Sequence, residues 1–234
     1  ENVDVSKLNT LDENGNLITT GEYTLNKEPV TVQKGDIVTY TFRIYNEGTI
    51  DGYAAKITED IPEGLQFLWS EKQGEELAND ETLTDAEKEA IEFNQNYLWG
   101  DFVYDESKEN IIQISTNYLS KENETTVGGN LITAFGRNDG SKTEEDLDYK
   151  EVSVKLKVIS ENISGNTIRN EAAITKDTDE EGKEVEDRDS STEEWVKYED
   201  GEDYENIILQ SFELSLRKFI IAVSEGEQIE EGEY

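Results

Sequence analysis

The chain of 234 residues carries 56 Asp and Glu against 21 Lys and Arg, a formal charge of −35, and a field of that sign repels nucleic-acid phosphates and anionic membrane surfaces. It contains neither Cys nor His, which removes thiol nucleophiles, disulfides, imidazole bases and Ser-His-Asp hydrolase chemistry together. With 34% hydrophobic and 33% charged residues it is expected to fold around a modest core under a heavily solvated surface, and no apolar run approaches the roughly 20 residues of a membrane helix.

In chain order, Val3, Val5 and Lys7 alternate on one face, and Asn14-Gly15 supplies a turn. Residues 36 to 46 place Val38, Tyr40, Phe42 and Ile44 on one face and Thr39, Thr41 and Arg43 on the other, the period of a half-buried strand, before the turn Asn46-Glu47-Gly48. Thr84-Asp85-Ala86-Glu87 has the form of a capping box and precedes Ala90, Ile91 and Phe93 at helical spacing, which predicts a helix over about 84 to 94, inserted between strands. After the turn at Asp139-Gly140, Val152, Val154, Leu156 and Val158 alternate, as do Ile168, Asn170, Ala172 and Ile174. Acidic runs at 177 to 189 and 198 to 205 read as loops. A long strand-like run follows over 207 to 223, with Phe212, Leu214, Leu216, Lys218 and Ile220 on one face, and then a polar tail. The sum is an all-β chain of antiparallel sandwich material.

Four elements in order resemble a known family. They are Lys34-Gly35-Asp36-Ile37-Val38-Thr39-Tyr40-Thr41, Tyr45-Asn46-Glu47-Gly48, Thr58-Glu59-Asp60-Ile61-Pro62-Glu63-Gly64-Leu65 and Ile168-Arg169-Asn170-Glu171-Ala172. Together they are similar to the tandem immunoglobulin-like repeats of large surface proteins from Gram-positive, clostridial-type bacteria, which are related to isopeptide-forming pilin and adhesin domains. The resemblance implies an immunoglobulin-like antiparallel β-sandwich with a short helical insertion, an extracellular, cell-wall-associated location, and partners that are copies of itself or adjacent repeats in a fibre. Where the family pattern usually has Asp, this chain has Glu59.

The run Phe212 to Ile220 resembles the first strand of such a repeat more than the last, and the tail ending in Tyr234 reads on into Glu1. The expected organisation is therefore a sandwich over 1–205, with its helix-bearing insertion near 70–105. Residues 206–234 form a C-terminal strand and tail that link to, or complete, the next repeat by donor-strand pairing.

Period-two alternation sets three polar side chains on apolar faces: Glu59 between Ile57 and Ile61, Asn170 between Ile168 and Ala172, and Lys218 between Leu216 and Ile220. Buried polar groups need partners. In a dry core an amine tends to be neutral and a carboxyl protonated, so Lys218 could attack the Asn170 amide while Glu59 shuttles protons, leaving an isopeptide bond. Lys7 is a rival nucleophile; it would make the bond internal, whereas Lys218 acting across units would link the fibre. The alternative is that Asn170 hydrogen-bonds a backbone and each Lys reaches solvent.

A second candidate is the loop carrying Asp177, Asp179 and Glu181, followed by Gly182, Asp187 and Asp189, whose alternating carboxylates resemble half of a calcium loop. No cofactor is required by this reading, and Ca2+ is the one ion the sequence invites. Trp69, Trp99 and Trp195 could supply a sugar-stacking surface. The functional expectation is a structural repeat or fibre subunit of a bacterial cell-surface appendage, assembling end to end, and no enzyme beyond autocatalytic bond formation. The alternative is an adhesin-type domain binding a host protein or glycan through its loops. Nucleic acid and direct membrane contact are not expected.

Overall fold

A computed structural model describes residues 3–19, 21–23, 28–124, 129–185, 201–210 and 216–218. The strands are β1 (Val3–Asp4), β2 (Thr10–Leu11), β3 (Leu17–Ile18), β4 (Glu22–Tyr23), β5 (Val30–Val32), β6 (Ile37–Tyr45), β7 (Gly52–Asp60) and β8 (Leu65–Phe67). Two helices follow, α1 (Gly74–Ala78) and α2 (Asp85–Asn96), then β9 (Asp101–Asp105), β10 (Asn110–Thr116), β11 (Tyr149–Val158), β12 (Thr167–Asp179), β13 (Glu184–Val185) and β14 (Glu202–Leu209).

The alternating runs become the long strands. β6 and β11 pair antiparallel over nine residues, from Tyr149 opposite Tyr45 to Lys157 opposite Ile37, and β8 adds to the far side of β11. The result is a three-stranded sheet ordered β6-β11-β8. A larger sheet runs β5-β14-β12-β7-β10-β9, with β13 folded back on β12. All its pairings are antiparallel except β5 with β14, which is parallel.

The apolar faces of the two sheets meet in one core. Tyr40 and Ile44 of β6, the row Val152, Val154, Leu156 and Val158 of β11, and Ile57, Ile114, Ile168 and Ile207 of the larger sheet belong to it. Trp99 closes one side, its indole Nε1 donating to the Ser153 carbonyl at 2.7 Å and its ring tilted against Phe42 at 6.0 Å. Gly64 marks how closely the layers approach: its φ is +99°, and a Cβ there would lie 2.7 Å from Ile168 Cδ1.

The helix starts where the capping box predicts. Thr84 Oγ1 accepts from the Glu87 amide while the Glu87 carboxylate accepts from the Thr84 amide. α2 lies on the outer face of the three-stranded sheet, because Lys155 and Lys157, on the side of β11 opposite its core row, reach Glu89 at 2.6 Å and Glu87 at 2.5 Å. Asn94 fixes the contact by donating to the Lys155 carbonyl and accepting from its amide. Leu68, Leu77, Ala90 and Ile91 form a small apolar cluster beneath.

Two expectations fail. The acidic stretch read as a loop to 205 contains β14, which pairs with β12 from Ala173 opposite Glu202 to Thr167 opposite Ile208; the 205/206 junction lies inside a strand. Its acidic start masks the apolar positions Ile207 and Leu209, which are buried. The N-terminal alternation is strand only over Val3–Asp4. Asp4 accepts from the Ser6 amide and caps a 3-10 turn over Val5–Lys7, so Val5 turns inward to Val3, Leu8, Phe135 and Leu147 while Lys7 turns out. Of the run 207 to 223, residues 207–209 are strand and 216–218 are not; Phe212, Leu214 and Ile220 lie outside the described residues.

Candidate functional site

β7 and β12 run side by side with Ala172 opposite Glu59 and Ile174 opposite Ile57. Directly opposed residues share a face, and so do residues two apart, so Glu59 and Asn170 both point into the core from neighbouring strands. Glu59 is 0% exposed and Asn170 3%. The Asn170 amide Nδ2 donates to Glu59 Oε1. The two polar groups therefore meet inside the sheet.

The pair is under-supplied with donors. Glu59 Oε2, Asn170 Oδ1 and the Tyr40 hydroxyl are buried without a hydrogen-bond partner among the described residues. Tyr40 enters from the opposite sheet, and Glu59 and Glu205 lie near enough for their charges to act on it. Burial first, and then those two carboxylates, raise its phenol far above the usual range. Burial likewise pushes the Glu59 carboxyl well above its ordinary value, opposed by the Asn170 bond and reinforced by the charge of Asp60. The buried carboxyl and the carboxamide beside it thus leave this site with two oxygens, Glu59 Oε2 and Asn170 Oδ1, without a hydrogen-bond partner among the described residues.

Neither candidate lysine occupies it. Lys7 sits on the 3-10 turn, half exposed and paired with Glu22, in a separate cluster from the core that holds Glu59. Lys218 is exposed and outside any strand. Tyr40 and Glu205 were not singled out by sequence; Tyr40 carried a signal, a hydroxyl within an otherwise apolar alternating row.

The calcium expectation meets a different geometry. Asp179 turns its Oδ1 back on its own hairpin, accepting from the Glu181 and Lys183 amides at 3.1 and 2.8 Å, while Asp179 and Lys183 also bond through the backbone. Asp177 is paired within the β12–β13 ladder opposite Val185. Among the described residues no three Asp or Glu converge as a metal group; Asp187 and Asp189 lie outside them. Among the described residues the tryptophans do not share a surface: Trp99 is buried and exposed Trp69 stacks edge-on against Phe102 at 5.1 Å, while Trp195 lies outside them.

No helix among the described residues is long and apolar enough to cross a membrane. Comparison with protein-family models, with curated proteins and with solved structures found no match.

Proposed function

We propose that the chain is a structural repeat or fibre subunit of a bacterial cell-surface appendage, an immunoglobulin-like β-sandwich that works outside the cell by bearing load rather than by turning over a substrate. The observation that carries the reading is the buried Glu59–Asn170 pair with its unpartnered oxygens, because a polar pair of this kind inside a sheet core destabilises a plain scaffold unless something completes it. Two facing antiparallel sheets, with β5 joining β14 in parallel at one edge, support the immunoglobulin-like part. The ordered motifs from Lys34 to Ala172 support the surface-repeat part.

The completing group is a lysine amine. A neutral Nζ attacks Cγ of Asn170, whose Nδ2 is already held by Glu59 Oε1. Glu59 then moves the proton from the attacking nitrogen to the departing one. The new bond is Nζ–Cγ, the broken bond is Cγ–Nδ2, and ammonia leaves with both electrons of that bond. The product ties two strands covalently across the core and resists pulling and proteolysis.

Intact mass spectrometry under denaturing conditions tests it. Each bond removes one ammonia, about 17 Da. The expected result is that deficit in the natural chain and its loss in Asn170→Ala and Glu59→Gln. An unmodified mass for the natural chain in every oligomeric species refutes the covalent tie.

A further inference from the structure

We propose that the open edge of β6 accepts residues 211–223 of a second copy of this chain as an antiparallel strand, bringing Lys218 over Asn170 and Glu59. The inference deepens the reading above, on which it rests, by naming the source of the amine and the surface that receives it.

The edge itself is the first support. β6 is nine residues long and ends the three-stranded sheet, with β11 on one side and no strand on the other among the described residues. Such an edge presents a row of backbone donors and acceptors to any strand that reaches it.

Coverage of the core is the second. The β11 row is 0% exposed, but Val38 and Phe42 on the same inward face of β6 are only partly buried. β8 lies over β10, where Asn110 Nδ2 donates to the Leu65 carbonyl, so β6 faces the β12–β14 side of the larger sheet. On that side Val30 is paired opposite Ile207, whose side chain is in the core, yet Val30 is 64% exposed. Among the described residues, apolar surface on that side is therefore left uncovered beyond β6.

The occupant follows from sequence and direction. Phe212, Leu214, Leu216, Lys218 and Ile220 alternate, and Leu216 is 95% exposed. Residues 211–223 also carry two cations and one anion in a chain of net charge −35, so they approach a second copy under attraction rather than repulsion. The chain's own segment is disfavoured. β14 ends beside β5, where the Gln210 amide donates to the Val32 carbonyl, at the same end of the fold as the start of β6. Leaving from there, it would have to run parallel to β6 or first traverse the domain and return. A second copy stacked end to end continues in the direction of its own β14 and enters antiparallel without a reversal.

Alternation fixes the face, and Lys218 level with Tyr40 sets Leu216 opposite Phe42, Leu214 opposite Ile44 and Ile220 opposite Val38 on the inward row of β6, with Phe219 and Ile221 on the outer face. The neutral Lys218 amine then arrives where Glu59 Oε2, Asn170 Oδ1 and the Tyr40 hydroxyl lack partners among the described residues.

The test uses full-length chains in two arms. In the first, Lys218→Arg and Glu59→Gln chains are run alone and mixed on a denaturing gel beside the natural chain. The expected result is a ladder for the natural chain, monomer for each variant alone, and a single covalent dimer in the mixture; Asn170→Ala in place of Glu59→Gln repeats the outcome. A 17 Da deficit confined to monomer, or a ladder that survives Lys218→Arg, overturns the proposal while leaving a Lys–Asn tie standing. In the second arm Thr41→Cys and Arg217→Cys are placed on separate chains that otherwise lack Cys, both carrying Lys218→Arg. An oxidised heterodimer is expected from the register, whether or not the covalent reaction occurs. Absence of that crosslink, with both chains folded by circular dichroism, overturns the pairing.

Discussion

Glu59→Gln isolates the energetic role of the buried carboxyl. The substitution keeps the volume, cannot ionise, and supplies an amide N–H to oxygens that lack one. In the natural chain desolvation raises the carboxyl, so the folded state holds its proton more tightly than the unfolded state does. The sign follows: this contribution to stability is complete below the unfolded value near 4.5 and is lost as pH rises toward the folded value. The loss is about 1.4 kcal/mol per pH unit over that window and then levels off. Lys157 and Thr84 hold Glu87 down to about 2, and Lys72 holds Asp80 lower still, so these groups give stability of the opposite pH dependence. Both are common to the two chains and cancel in the difference. In a Lys218→Arg background, urea unfolding at half-unit steps from pH 4.5 to 8 should show the Glu59→Gln chain gaining on its parent as pH rises, with that slope. A difference that does not change with pH refutes the claim that the carboxyl is desolvated in the folded chain.

Leu156 is fully buried between the layers, and Leu156→Ala should lower the unfolding free energy by about 2–5 kcal/mol in chemical denaturation, through lost transfer energy and the cavity left behind. Asn94→Ala strands the amide and carbonyl of Lys155 beneath α2, and should destabilise by about 1–3 kcal/mol while raising amide exchange across α2 selectively. Asp179→Ala removes the acceptor of the β12–β13 hairpin. It should destabilise by about 0.5–1 kcal/mol, equally in millimolar calcium and in EDTA by differential scanning fluorimetry. A calcium-dependent difference would show that the carboxylate serves an ion instead.

What could be read from the sequence was what local physics decides. β6, β11 and β12 announce themselves because a strand with one buried face must alternate, and α2 because Thr84 and Glu87 satisfy each other's backbone three residues apart. Glu59 on β7 and Asn170 on β12 were legible for the same reason: they stand where apolar residues belong, and the sheet register places them together. β14 was hidden because its first half is acidic and its burial comes from β12 and β5, partners far away in sequence. Lys7 was misplaced because three residues at period two also fit one 3-10 turn, and the Asp4 cap decides between them. Tyr40 was seen as a strand residue only; its unpartnered hydroxyl depends on which sheet faces which.

The buried pair and the open edge are more informative together than apart. A core acid with idle acceptors lowers the stability of an isolated chain, and a sheet that stops at β6 leaves apolar area in water; each alone is a defect that folding tolerates at the expense of a few kcal/mol. On the proposed pairing one inserted strand with an amine at its midpoint would remove both, and because binding that acts only on the folded state raises stability with concentration, the Lys218→Arg chain should then gain stability as its concentration rises. On the proposed pairing the amine would reach Asn170 only after the strand had docked, so pairing would set the partner and the register before bond formation made the join permanent.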